Sequence, residues 1–76
     1  MTTPLNSSLI KGFAILKLFS KDRTELTATV VSRELGMNSA SAHRFLTTLE
    51  EIGALASPRR GCYALGLIGV RANDIG

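Results

Sequence analysis

Apolar residues recur at helical spacing through the first two thirds of the chain and then shift to short extended runs. Residues 8–20 predict a first helix carrying Leu9, Ile10, Phe13, Ala14, Ile15, Leu16, Leu18 and Phe19. At about 100° per residue these do not form one stripe. Leu9, Phe13 and Leu16 share a face, expected to meet the core. Ile15 and Leu18 fall nearer the opposite face, flanking Lys11, and a second apolar strip of this kind is covered most simply by a partner subunit. Residues 21–26 (KDRTEL) read as a charged loop. A second helix is expected from Thr27, whose hydroxyl can accept an otherwise unpaired backbone N–H, with Val30, Val31 and Leu35 inward. Gly36 stops it, since glycine tolerates the left-handed conformation at a helix end. Asn38 or Ser39 caps a third helix that runs to about residue 52, with Ala42, Phe45, Leu46, Leu49 and Ile52 as its inner stripe. Residues 54–57 and 62–65 read as two short strands around the turn Pro58-Arg59-Arg60-Gly61. The fold expected is mostly α with a small β-hairpin, a winged helix-turn-helix made of a three-helix bundle plus a wing. The domain spans 8–66, with its helix-turn-helix at 28–47 and its wing at 54–65. Residues 1–7 form a flexible polar arm, and residues 67–76 begin a further helix.

The central segment meets the steric demands of a helix-turn-helix position by position. Counting Ala28 as the first of twenty positions, the fourth, eighth, tenth, fifteenth and eighteenth must be apolar to lock two crossing helices; they are Val31, Leu35, Met37, Ala42 and Phe45. The ninth must turn sharply and is Gly36. The fifth must be small and is Ser32, a mild departure from the usual alanine, whose hydroxyl can bond back to a helix carbonyl. This device lays its second helix into the major groove of DNA.

The outer face of the third helix suits that task. Ala40, His43, Arg44, Thr47 and Glu51 lie opposite the inner stripe, with Ser39, Ser41 and Thr48 on the flanks. The first turns hold small, hydrogen-bonding and basic groups, and both acids, Glu50 and Glu51, fall at the far end. Recognition helices read bases with their N-terminal residues. Arg44 can make a bidentate contact to guanine, His43 can reach a base edge or a phosphate, and Ala40 can touch a thymine methyl. Ser39, Ser41 and Thr48 suit phosphate oxygens, and the helix N-terminus favours an anion. Thr27, Asn38 and Thr47 complete the candidate DNA contacts on the helices. Arg59 and Arg60 on the hairpin turn suit a backbone or a narrow A·T-rich minor groove.

Composition narrows the picture. Seventy-six residues hold one small domain, and nine basic against six acidic side chains leave a formal charge of +3. The excess is modest, so its placement matters more than its size. Aromatic residues number three Phe and one Tyr, so the core rests on aliphatics. One cysteine excludes an internal disulfide and suits a reducing cytoplasm. His43 and Cys62 stand alone, with none of the paired spacings of a zinc site, and neither metal nor cofactor is expected. No apolar run approaches the roughly 20 residues of a membrane span, and the first residues lack a signal peptide's basic and apolar regions. No nucleophile–base pair, phosphate loop or carboxylate pair points to an enzyme. The competing reading is a winged-helix module that docks a protein and binds no specific DNA sequence; the doubly apolar first helix would fit it.

Taken together these residues resemble the N-terminal domain of the IclR family of bacterial transcriptional regulators. The resemblance covers residue 8 to about 66. It rests on SLIKGFAILKLF against the family's SxxRGLxILxxL, on ELGMNSASAHRFLTTLEEIGAL against xtGLxxSTxxRLLxTLxxxGxl, and on the closing YALG against YxLG. Lys11 stands where the family often has Arg, Ser32 and Met37 where it favours Ala and Leu, and Ala40 where Ser or Thr is commoner; Arg44 falls on the family's arginine position. The resemblance implies a repressor or activator in the bacterial cytoplasm, associated with the nucleoid. It also implies a homodimer, here through the first helix, on a pseudo-palindromic operator. A small-molecule effector would bind only a further domain absent from this chain, to which residues 67–76 would lead.

Overall fold

A computed structural model of the protein describes residues 5–67. Three helices, α1 (Ser7–Leu16), α2 (Ala28–Leu35) and α3 (Ser39–Glu51), precede a hairpin of β1 (Leu55–Arg59) and β2 (Cys62–Leu65). This is the winged helix-turn-helix. Residues 1–4 and 68–76, and with them most of the expected arm and of the expected connecting helix, lie outside the described residues.

Helix α1 starts one residue earlier and stops sooner than its apolar pattern predicts. The Asn6 side chain accepts the Leu9 N–H at 2.9 Å, which caps the first turn and draws Ser7 out of the arm into the helix. At the other end the Leu18 and Phe19 N–H groups reach back only three residues, to the Ile15 and Leu16 carbonyls. That tighter turn ends the α-helix at Leu16 and swings Phe19 into the core.

The inward face of α1 is also not the expected one. Gly12, Ile15 and Leu16 are buried, while Leu9 and Phe13 are 60% and 44% exposed. Gly12 faces α3 with room to spare: a Cβ on it would stand at an ordinary contact distance, 3.9 Å, from Leu49 Cδ2. Ile15, expected on the outer strip, is fully buried, and the uncovered strip is Leu9, Ile10 and Phe13.

The core gathers Ile15, Leu16, Phe19, Leu26, Val31, Ala42, Leu46, Leu49, Ala54, Leu55 and Tyr63, with Val30, Leu35, Met37 and Phe45 packed half-buried against it. Full burial of a Leu, Ile or Val contributes about 1.5–3 kcal/mol, so the four largest fully buried side chains, Ile15, Leu26, Val31 and Leu46, anchor the domain. Leu26 corrects the reading of residues 21–26 as a plain charged loop. Its N–H and C=O pair with Tyr63 at 2.7 and 2.8 Å, so it lies as a third, one-residue strand beside β2. Ile52 corrects the inner stripe of α3: it is the C-cap residue, 59% exposed.

The strands are antiparallel, pairing Leu55 with Leu65, Ala56 with Ala64 and Arg59 with Cys62. Two residues of β1, Ser57 and Pro58, therefore face one of β2. Proline has no N–H for a ladder, and this bulge on an outer strand needs none from it. The bulge carries β1 two residues past the expected end at Ser57, so the turn narrows to Arg60 and Gly61. The Ser57 hydroxyl spans the bulge, with the Arg59 and Cys62 carbonyls at 3.0 and 3.1 Å. After β2 the chain folds back, Gly66 N–H donating to the Ala54 carbonyl at 2.9 Å. No helix among the described residues is long and apolar enough to cross a membrane.

Candidate nucleic-acid interface

The turn between α2 and α3 sets the angle of the candidate recognition helix. Gly36 takes φ 67° and ψ 29°, the left-handed conformation, and its N–H and that of Met37 both donate to the Ser32 carbonyl. The Ser32 hydroxyl then donates to the Met37 carbonyl at 2.5 Å. The expected bond from Ser32 back into its own helix is thus replaced by one forward into the turn. Val31 and Ala42, fully buried, close the crossing, with Leu35, Met37 and Phe45 half-buried around them.

The candidate residues separate into two roles. Thr27 and Asn38 are caps. The Thr27 hydroxyl accepts the Val30 N–H at 3.3 Å, and Asn38 Oδ1 accepts the Ser41 N–H at 2.7 Å. Asn38, not Ser39, is therefore the N-cap of α3. Those acceptor oxygens serve the helix ends, leaving the Asn38 amide N–H group to meet anything outside. The remaining candidates on α3 form one surface. Ser39, Ala40, His43, Arg44, Thr47 and Thr48 are exposed and Ser41 is half-buried. The first turn of α3 contains no acid. Arg44 lies over an open cleft of about 370 Å³ that it shares with Ser41, Phe45, Thr48 and Ser8 of α1. Ser8, absent from the candidates, thus flanks this face; nothing in its local sequence marks it, because only the packing of α1 on α3 brings it there.

The two wing arginines are both exposed but are not equivalent. The Arg59 guanidinium donates to the Glu25 carboxylate, in the segment ahead of α2. The hydrogen bond to Glu25, its negative charge and a smaller contribution from Cys62 hold the Arg59 pKa above its ordinary value. Arg60, next in the chain, has no such partner among the described residues. Elsewhere Arg23 pairs with Glu34 at 3.6 Å on the surface. Glu25, like Ser8, is a residue that sequence reasoning passed over. It lies 34 residues from Arg59, and only the fold makes them neighbours.

Comparison with known proteins agrees with this geometry. Residues 8–58 match the IclR helix-turn-helix domain. The chain is 36% identical over 63 residues to the HTH-type transcriptional regulator KipR of Bacillus subtilis, covering 83% of this chain and 25% of that protein. Its fold superposes with a TM-score of 0.76 on an IclR-type transcriptional regulator from Alicyclobacillus acidocaldarius, at 28% identity over 96% of this chain and 32% of the other. A crystal structure of an IclR family regulator from Brucella abortus shares the fold with a TM-score of 0.78, at 22% identity over 87% and 25% of the two chains. The chain thus spans about a quarter to a third of the proteins it resembles.

Proposed function

The chain belongs to the IclR family of transcriptional regulators, and from that premise we propose that it binds a specific double-stranded DNA sequence, with α3 in the major groove and the wing on the backbone or minor groove. The observation that carries this reading is the acid-free N-terminal part of the outer face of α3, where Ser39, Ala40, His43, Arg44, Thr47 and Thr48 stand exposed on a helix fixed at both its cap and its turn. Arg44 is the base-reading residue, bidentate to guanine, and His43 assists at a base edge or phosphate. Ser41 and Thr48, on the cleft side, suit phosphate oxygens. Homodimerisation through the uncovered strip of α1 would present two such helices to a pseudo-palindromic operator. The setting is the bacterial cytoplasm, and an effector would act through a domain outside this chain.

Selection of bound sequences from a random DNA pool supplies the site, and Arg44→Ala then tests the role. A base-reading arginine predicts a loss of about 1–3 kcal/mol on the selected site and a much smaller one on random duplex. Equal losses on both make Arg44 a phosphate contact. A folded domain that retains no duplex at low salt favours the other reading, a winged-helix module that docks a protein through the same exposed apolar strip.

A further inference from the structure

We propose that Glu25 is an electrostatic brake on the wing: it holds Arg59 against the body of the domain, so that Arg60 alone of the two wing arginines engages a DNA phosphate at full strength. The inference rests on the wing lying on duplex DNA, as argued above.

Both ends of the Glu25–Arg59 pair stand on fixed backbone. Glu25 immediately precedes Leu26, which is pinned to Tyr63 by two hydrogen bonds. Arg59 closes the β1–β2 ladder opposite Cys62, with its carbonyl held by the Ser57 hydroxyl. The backbone therefore holds the two side chains within reach of each other across the sheet. Arg60 follows directly in the turn and is exposed with no partner among the described residues. Two adjacent arginines thus offer different charge to an approaching backbone. At Arg60 a phosphate replaces only water and counterions. At Arg59 it must also displace a carboxylate that repels it.

The pair is 69% exposed on its arginine side and 35% on its glutamate side. An exposed pair is weak enough for a phosphate to break, so Glu25 attenuates the Arg59 contact and does not abolish it. The cost falls on every duplex alike, because phosphate contacts carry no base sequence. Glu25 thereby lowers the sequence-independent share of affinity and leaves the base-reading share on α3 untouched. Glu25 therefore sets how tightly the wing holds any duplex, without changing the ratio between selected and random sequence.

The test measures duplex affinity against salt concentration for the whole chain and four variants, with circular dichroism to verify folding. Each phosphate contact contributes about 0.9 to the slope of log K on log salt. Arg60→Ala is expected to lower the slope by about that amount and Arg59→Ala by clearly less. Glu25→Gln is expected to steepen the slope and tighten binding about twofold to fivefold, the equilibrium counterpart of an exposed ion pair, by the same factor on selected and random duplex. In Glu25→Gln/Arg59→Ala that gain is expected to vanish. Equal slope losses from Arg59→Ala and Arg60→Ala, or weaker binding by Glu25→Gln, overturn the brake and make Glu25 a residue that orients Arg59 toward DNA. A wild-type chain that binds no duplex at low salt overturns the DNA reading and the brake together.

Discussion

Ser32 serves the helix-turn-helix in three ways, two through its side chain and one through its backbone. It is small enough for α3 to cross over α2, its carbonyl receives the Gly36 and Met37 N–H groups, and its hydroxyl reaches the Met37 carbonyl. Alanine, the commoner residue at this position of a helix-turn-helix, keeps the first two and loses the third. A neutral hydrogen bond contributes about 0.5–1.5 kcal/mol net, against which alanine regains up to about 0.5 kcal/mol of helix propensity. Ser32→Ala is therefore expected to lower stability by at most about 1.5 kcal/mol in urea unfolding, centred on about 0.5–1 kcal/mol, with the m-value unchanged. A stability equal to wild type would mean the hydroxyl contributes nothing net. The partner of this hydroxyl was not legible in sequence. A serine inside a helix ordinarily bonds back along its own helix, and only the left-handed turn at Gly36 brings the Met37 carbonyl within reach. The side chains exposed on α3 were legible, because helical periodicity alone separates Ala42, Leu46 and Leu49 from Ala40, Arg44 and Thr47.

At the scale of elements, two glycines differ in whether anything requires them, with opposite consequences. Gly66 lies where the chain leaving β2 crosses the turn from α3 to β1. A Cβ there would stand 2.5 Å from the Gly53 carbonyl oxygen and 3.2 Å from the Leu55 carbonyl carbon and oxygen. Those are backbone atoms in a hydrogen-bonded turn, so they cannot swing away, and Gly66→Ala is expected to cost about 1–3 kcal/mol. Gly12 faces only Leu49 Cδ2 at an ordinary contact distance. It carries glycine's entropic penalty inside a helix, so Gly12→Ala is expected to gain about 0.5–1 kcal/mol. For a domain of this size about 1 kcal/mol moves the melting temperature by about 4–8 °C, so thermal melts of the two variants should shift in opposite directions. Matching shifts would contradict the packing of α1 on α3 or of Gly66 on the turn. The reading of α1 failed for a physical reason. Its apolar residues cover most of the helix circumference, and periodicity cannot rank two apolar faces; only the packing of the domain shows that Ile15 and Leu16 turn inward. Leu26 was hidden for a related reason, a lone apolar residue among charges whose burial depends on pairing with a strand 37 positions later. The helix-turn-helix itself was legible because its constraints are local, held within twenty consecutive residues.

At the scale of the whole molecule, the proposed function would join the uncovered strip of α1 and the outer face of α3 in one device. Leu9, Ile10 and Phe13 are 60%, 51% and 44% exposed, and Leu9 and Phe13 open onto a groove of about 380 Å³ walled by Gly12, Leu16, Phe45, Leu49 and Ile52. Apolar side chains gathered this closely on a small monomer mark an interaction surface. A second copy meeting this surface would place two α3 helices about a two-fold axis, which is the geometry a pseudo-palindromic site requires. Phe13→Asp and Ile10→Asp separate that arrangement from alternatives, because neither residue contributes to the enclosed core and both variants should fold. Sedimentation velocity on the chain, or on a longer protein that contains it, is expected to show the dimer population falling in both variants. Affinity for a two-half-site duplex should fall with it, while affinity for a single half-site stays near wild type. The separation follows from linkage: binding one half-site uses a single α3, whereas the second half-site is reached at high effective concentration only when the copies are joined. Equal loss on single and paired half-sites would place the strip in the DNA contact itself. Unchanged dimerisation would leave it to a different protein partner and return weight to the docking-module reading.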